Sequence, residues 1–171
     1  MQQNVETDRL ILRPFTLSDA KRVALLAGEK VIADMTANIP HPYSLADAEL
    51  WINTHEPLFD SGKGVVYAIT LKESGELIGA VSFLGIDNGV GTLGYWLGVP
   101  YWGRGYATEA SKAIITFGKS NLGFSKLHVM HLLGNERSKS VIKKLGFTYI
   151  ENRINRMQGK TREVSVYTSD L

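Results

Sequence analysis

The stretch Gly94-Tyr95-Trp96-Leu97-Gly98-Val99-Pro100-Tyr101-Trp102-Gly103-Arg104-Gly105-Tyr106-Ala107-Thr108 decides the reading of this chain. An aromatic, apolar run stops at Pro100, and two glycines then frame a single arginine. A helix-forming stretch, Glu109-Ala110-Ser111-Lys112-Ala113-Ile114-Ile115-Thr116-Phe117, follows. A strand is therefore expected to lead through a bare-backbone loop into a helix. Such a loop aims several N–H groups and the positive end of a helix dipole at one point, which favours a bound anion such as a pyrophosphate. The spacing excludes two common phosphate loops. A P-loop requires four residues between its two glycines and Lys-Ser/Thr directly after the second, and that is absent. A dinucleotide fingerprint requires a third small residue where Thr108 stands and an acidic residue some twenty positions on, where the chain has Lys126. The plain alternative is that Gly103 and Gly105 only make a tight turn.

Composition narrows the class. With 171 residues, 44% hydrophobic and 21% charged, the chain suits a single globular domain over 1–171. A net charge of +2 is too small for a nucleic-acid platform, so no nucleic-acid partner is expected. Without cysteine there is no disulfide, no thiolate metal site and no cysteine acyl-enzyme. The start Met1-Gln2-Gln3-Asn4-Val5-Glu6 does not resemble a signal peptide, and no apolar run reaches membrane-spanning length. A soluble cytoplasmic protein with no membrane partner is expected, as a monomer or homodimer.

Outward from the loop, Leu10–Phe15 reads as a first strand, ending near Pro14. Ser18 is expected to cap a helix with Val23, Leu25 and Leu26 on its apolar side and Gly28 at its end. Ser44 with Asp47 forms a capping-box-like start for a helix through Trp51 and Ile52, which Pro57 kinks or ends. Val65–Leu71 and Leu77–Leu84 read as a hairpin joined by Glu73-Ser74-Gly75-Glu76. Strands follow at Thr92–Val99 and Lys126–Leu132, then a helix at Ser138–Leu145 closed by Gly146, then two strands flanking Gly159. Helices interrupting hairpins and parallel neighbours indicate a mixed α/β sandwich.

Three blocks in order resemble one family. Tyr101–Ala110 resembles the acetyl-CoA pyrophosphate motif of the GNAT N-acetyltransferases. The likeness is strongest to the Rim-type branch, which acetylates N-termini of ribosomal proteins, and to its small-molecule relatives. Asn135-Glu136-Arg137-Ser138 with Lys144-Leu145-Gly146-Phe147 resembles the second hallmark of that family. Ile39-Pro40-His41-Pro42-Tyr43-Ser44, with Trp51-Ile52, resembles the acceptor-side segment of the Rim-type branch. The resemblance spans roughly Asp8 to Asp170. It implies an α/β (α+β) fold with a mixed, mostly antiparallel sheet of about six to seven strands. Helices would cover both faces, and two strands would splay at a cleft for acetyl-CoA. It implies no metal.

Carried over by position, backbone groups of Leu97, Gly98 and Val99 would pair with the pantetheine arm and the acetyl carbonyl. Gly103, Arg104, Gly105, Tyr106, Ala107 and Thr108 would hold the pyrophosphate. Trp102 stands where the motif often opens with Gln or Arg, as the Rim branch tolerates. Tyr95 and Trp96 read equally as core packing. Asn135 can cap the helix it precedes. By resemblance it also meets the pantetheine amide. Ser138 matches the serine near the CoA sulfur in Rim-type enzymes, where a hydroxyl can serve the departing thiolate. It also suits an ordinary first-turn serine. Other branches use a tyrosine seven residues after the asparagine, and here that position is Ile142. Lys139 and Lys143 share a helix face and read either as neighbours of the adenosine phosphates or as solvated surface.

The carboxylates that act as bases elsewhere in the family are replaced here by Thr92 and Met130. His131 is the neighbouring candidate base, or else a packed histidine. His128, three residues away, faces the opposite side of a strand, so the two make a poor metal pair. Met35, His41 and Tyr43 are candidates for the acceptor entrance, or parts of an ordinary Pro-rich loop. Without a strong base, an α-amine of pKa about 7.7–8.0 is easier to acetylate than a lysine amine near 10.4. The resulting expectation is direct acetyl transfer from acetyl-CoA to a protein N-terminal α-amine. A small-molecule amine acetyltransferase (amino acid, polyamine or drug) and a non-catalytic acyl-CoA-binding module are the rivals.

Overall fold

The computed structural model describes residues 1–171. Eight strands form one sheet: β1 Val5–Glu6, β2 Leu10–Arg13, β3 Val65–Leu71, β4 Leu77–Asp87, β5 Val90–Leu97, β6 Lys126–Leu132, β7 Thr148–Met157 and β8 Lys160–Asp170. Their order across the sheet is β1-β2-β3-β4-β5-β6-β8-β7. Every neighbouring pair is antiparallel except β5 and β6. The strand beyond the expected count is the two-residue β1, too short to carry any alternating pattern.

Six helices are α1 Ala20–Ala27, α2 Lys30–Met35, α3 Leu45–Asn53, α4 His55–Asp60, α5 Tyr106–Asn121 and α6 Glu136–Lys144. The two-residue period of β3 divides them between the faces. Val65, Tyr67 and Ile69 pack in the cluster that holds Ala110 and Ile114 of α5 and Ile142 of α6. Val66 and Ala68 pack in the cluster with Val23 and Leu26 of α1 and Ala48 and Ile52 of α3. Because strand β3 is buried on both faces, it reads as a continuous apolar run. No helix is long and apolar enough to cross a membrane.

Several local signals acted differently from their reading. The turn into α1 is fixed by Asp19, not Ser18. Its carboxylate accepts from Thr16 N–H at 2.9 Å and from both Arg13 guanidinium nitrogens at 2.9 Å. Leu25, expected on the apolar side of α1, is 65% exposed. The chain breaks at Thr54 instead of at Pro57, which sits in the first turn of α4 where its missing N–H costs nothing. Helix α2 escapes the sequence reading because Glu29 caps it without a side-chain bond and it spans only six residues. The Ser44–Asp47 capping box and the Gly146 stop, at φ 81°, form as read.

Strands β4 and β5 approach closely at Gly79, where a Cβ would stand 2.2 Å from the Trp96 carbonyl oxygen. Since that obstacle is backbone, relief requires the two strands to part. Gly79→Ala is expected to lower unfolding free energy by about 2 kcal/mol, read as a reduced urea midpoint at unchanged slope.

Candidate active site

The parallel contact between β5 and β6 ends at Leu93–Val129, although β5 continues to Leu97 and β6 to Leu132. Past that point β6 stays paired only to β8. A gap therefore opens inside the sheet. Backbone groups of β5 alternate between its neighbours. Gly98 N–H bonds Ile78 O across β4 at 2.8 Å, so the even-numbered residues face β4, and Tyr95 and Leu97 turn their backbone groups to the gap. This corrects the expected trio. Leu97 lines the cleft, but Gly98 is committed to β4 and packs on α1, where a Cβ would meet Leu26 at 2.7 Å. Val99 does not line the cleft either.

The gap leads to the start of α5. Gly103 and Gly105 hold φ of 76° and 80°, a region L side chains rarely adopt, and Gly105 is the N-cap. A cavity of about 280 Å³ joins this loop to the gap, with Trp102, Gly103, Gly105, Tyr106, Ala107 and Thr108 in its wall. The Arg104 side chain is exposed and outside that wall, and its carbonyl accepts from Arg9 Nη1 at 3.0 Å. The cations that do line the wall are Arg137, whose guanidinium lies 3.8 Å over the Trp102 ring, and Lys144. Lys139 and Lys143 lie outside it. Trp102 Nε1 donates to Leu97 O at 2.9 Å, which binds the loop to the end of β5.

Glu109, with no role assigned from the sequence, and Thr7 and Arg9 staple the loop. Glu109, in the first turn of α5, accepts from Thr7 Oγ1 at 2.6 Å, Arg9 N–H at 3.1 Å and Arg9 Nε at 2.7 Å. Arg9 also covers the Tyr106 ring at 4.4 Å. Burial opposes the charge on Glu109, but the bonds from Thr7 and Arg9 outweigh it and hold the carboxyl below its usual range. The only signal in the sequence was an acidic residue in a first helical turn. Its partner stands 100 positions earlier.

A second cavity, of about 710 Å³, opens on the other side of the gap under α3 and α4. It shares six wall residues with the first: Met35, Thr36, Tyr95, Trp96, Asn135 and Ser138. Asn135 Oδ1 caps α6 by accepting from Ser138 N–H at 3.2 Å, and its Nδ2 donates to Met35 O at 3.3 Å. Ser138 Oγ lies 2.8 Å from the Tyr95 hydroxyl. Tyr43 lines the second cavity with Met35, whereas His41 is exposed and outside both. His41 and Pro42 turn to solvent, while Tyr43 turns inward.

The second cavity is chiefly apolar, and Asp47 is its one carboxylate, held by Ser44 N–H at 2.8 Å and Ser44 Oγ at 2.9 Å. His55 lies among Trp51 and Phe15, with ring centroids 4.5 and 5.3 Å away, and burial pushes its pKa down to about 4. It is neutral at physiological pH. His131 lines the same cavity, but both ring nitrogens are engaged. Nδ1 lies 2.9 Å from Leu132 O, an acceptor only, so Nδ1 carries the hydrogen. Nε2 then faces the Tyr167 hydroxyl at 3.1 Å. Of the two readings of His131, candidate base or packed histidine, the geometry gives the packed one, with its lone pair capped. Thr92 and Met130 line the cavity and add no carboxylate.

Positive-φ glycines at a helix start, a gap with unpaired backbone and a wall bearing Arg137 and Lys144 fit a phosphate-bearing donor with an extended arm. Two cavities meeting at six residues suit a transferase, with room for two substrates on either side of a common junction. The chain belongs to the acetyltransferase (GNAT) domain family, whose model matches residues 9–148, and it is an acetyltransferase. An uncharacterized N-acetyltransferase of Bacillus subtilis, YoaA, is 30% identical over 146 residues, 84% of this chain and 81% of the relative. The ribosomal-protein α-N-acetyltransferase RimL, solved with coenzyme A, superposes with TM-score 0.89 at 18% identity, covering 99% and 98% of the two chains. The microcin self-immunity acetyltransferase MccE, solved with acetyl-CoA and AMP, gives 0.86 at 22% identity over 96% and 94%.

Glu109→Gln removes the charge that draws Arg9 onto the loop but keeps the shape. Arg9 is nearly half exposed, so the ion pair itself is worth little and the effect comes through loop order. Titration calorimetry is expected to show acetyl-CoA affinity reduced about fivefold, roughly 1 kcal/mol. Because the folded carboxyl titrates below its unfolded value, the stabilisation from Glu109 is complete above about pH 4.3. It is lost as pH falls through the lowered folded value.

Proposed function

We propose that this acetyltransferase moves the acetyl group of acetyl-CoA to an α-amine, most simply a protein N-terminus, by direct transfer in a ternary complex. One observation carries the reading: the donor-side and acceptor-side cavities share Met35, Thr36, Tyr95, Trp96, Asn135 and Ser138, so two substrates can meet without a covalent enzyme intermediate. When bound, acetyl-CoA supplies an acyl group already activated as a thioester. Gly103 and Gly105 through Thr108 hold the pyrophosphate with N–H groups and the α5 dipole, and Arg137 and Lys144 add charge. The gap-facing backbone of Tyr95 and Leu97 takes the pantetheine arm and polarises the acyl carbonyl. Asn135 positions the start of α6, and Ser138 stands beside the departing sulfur.

The α-amine follows from what the acceptor side lacks. Its one carboxylate is engaged, His55 with a pKa of about 4 is too weak a base, and both His131 ring nitrogens are occupied, so little there can pull a proton from a lysine ammonium. An α-amine near pKa 7.7–8.0 is already a tenth or more neutral at pH 7, whereas a lysine starts about 3.5 kcal/mol behind. The α-N-acetyltransferase RimL, which shares the fold, supports the same assignment. A second reading is favoured by the depth of the acceptor cavity, which reaches His55 and Leu58: a small apolar amine enclosed within it. Polyamines fit poorly, because multiple cations would meet one carboxylate.

CoA thiol release is measured against peptides beginning with Ala, Ser or Met, free amino acids, apolar amines, polyamines and aminoglycosides. Turnover with peptides that is abolished by blocking their N-terminus is expected. Turnover confined to small amines would select the second reading. Tight acetyl-CoA binding with no turnover on the whole panel would overturn the α-amine reading and leave an acceptor outside the panel or an acyl-CoA-binding module.

A further inference from the structure

The Tyr95 hydroxyl has no place in the function as stated so far, yet it occupies the junction of the two cavities. Its ring comes from β5, on the face of α5 and α6. Its hydroxyl lies 2.8 Å from Ser138 Oγ and 3.3 Å from Ser138 O. Both residues line the donor side and the acceptor side. The other wall residues at this point, Met35, Thr36, Trp96 and Asn135, include no ionisable group, and the Asn135 amide is already spent on Ser138 N–H and Met35 O. Position 142, where a tyrosine serves in other branches, is a fully buried isoleucine. No carboxylate is free to act as a base. The carboxylates and the tyrosine that handle protons in other branches are therefore missing. The junction holds two hydroxyls in contact, Ser138 on the sulfur side and Tyr95 behind it.

We infer that Tyr95 and Ser138 form a neutral proton relay that carries the proton of the attacking amine to the CoA sulfur, so that one hydroxyl pair replaces a separate base and acid. The inference rests on the acetyl-transfer reading above. As the N–C bond forms and the C–S bond breaks, the amine proton passes to Tyr95 Oη. The Tyr95 proton passes to Ser138 Oγ, and the Ser138 proton passes to sulfur, which leaves with the electron pair of the broken bond as a thiol. Each hydroxyl gives one proton and receives one, so neither ends charged. Neutrality matters here. Burial drives the Tyr95 phenol up to about 12, against the smaller opposing effect of the Ser138 bond. A tyrosinate standing alone at this site would be costly, and a pass-through is not. The direction of the relay requires an amine that arrives neutral, in accord with an α-amine acceptor.

Tyr95→Phe keeps the ring and its packing, and Ser138→Ala keeps the helix, so both variants and their combination should fold. With acetyl-CoA and the best acceptor saturating, each single variant should lower kcat on the order of 10²-fold. The double variant should be no slower than the slower single, because one broken link already stops a relay. Independent of turnover, the thiol of bound CoA is titrated by thiolate absorbance. Ser138→Ala should raise its pKa, because the donor to the thiolate is gone. Tyr95→Phe should raise it by less, because Ser138 Oγ loses the phenol that donates to it and is a weaker donor in turn. Losses that multiply in the double variant, or a Tyr95→Phe enzyme with unchanged kcat and unchanged thiol titration, would overturn the relay. If the wild type acetylates no amine, the acceptor reading fails by itself. An unchanged thiol pKa in Tyr95→Phe then overturns the pair, and a raised one supports it.

Discussion

Everything functional in this molecule depends on two parallel strands parting. Strands β5 and β6 pair from Val90–Lys126 to Leu93–Val129 and then diverge, while each keeps its outer partner. A buried peptide group without a partner is costly, so the interior of a sheet seldom opens without something to fill it. Here the open edge of β5 turns the backbone of Tyr95 and Leu97 toward a cleft that connects the start of α5 with the space under α3 and α4. Closing the gap by one more ladder pair would cover the free backbone of β5 and the passage between the cavities together.

The glycine loop before α5, at one end of that gap, is held from a distance. Gly103 and Gly105 permit its shape, but permission is not rigidity, since glycine has the most backbone freedom to lose. Rigidity comes from Arg9 and Thr7 at the sheet edge, which grip Glu109 and the Arg104 carbonyl, and from the Trp102 indole tied to Leu97. On the opposite side Asn135 joins the start of α6 to the end of α2 through Met35. The transfer point is therefore bordered by four elements fixed to one another by hydrogen bonds.

Local chemistry was legible wherever a few neighbouring residues sufficed. The hairpin around Gly75, the Ser44–Asp47 cap, the Asn135 cap and the glycine stop at 146 involve residues within a handful of positions. Misreadings occurred where another partner, near or distant, overruled the most obvious signal. Arg13 engages Asp19 and fixes the turn into α1, where Ser18 stood as the obvious cap. His131 appeared as a candidate base on a strand, but Tyr167 and Leu132 O occupy its ring nitrogens. Arg104 sits inside the motif yet turns outward, and Arg137, thirty-three positions later, stacks on Trp102 in its stead.

The sequence by itself determined the kind of site: a strand, a left-handed glycine loop and a helix start, and the absence of the usual carboxylates and of the tyrosine at 142. These follow from backbone sterics and side-chain identity, which act over a few residues and need no knowledge of the rest. Only the tertiary structure decided which side chains share the transfer point. Tyr95 reaches Ser138 across 43 positions, and Arg9 reaches Glu109 across 100. Such meetings are set by how helices pack on the two faces of a twisted sheet. They leave no periodic trace in the chain, because either residue alone would read as packing or as surface.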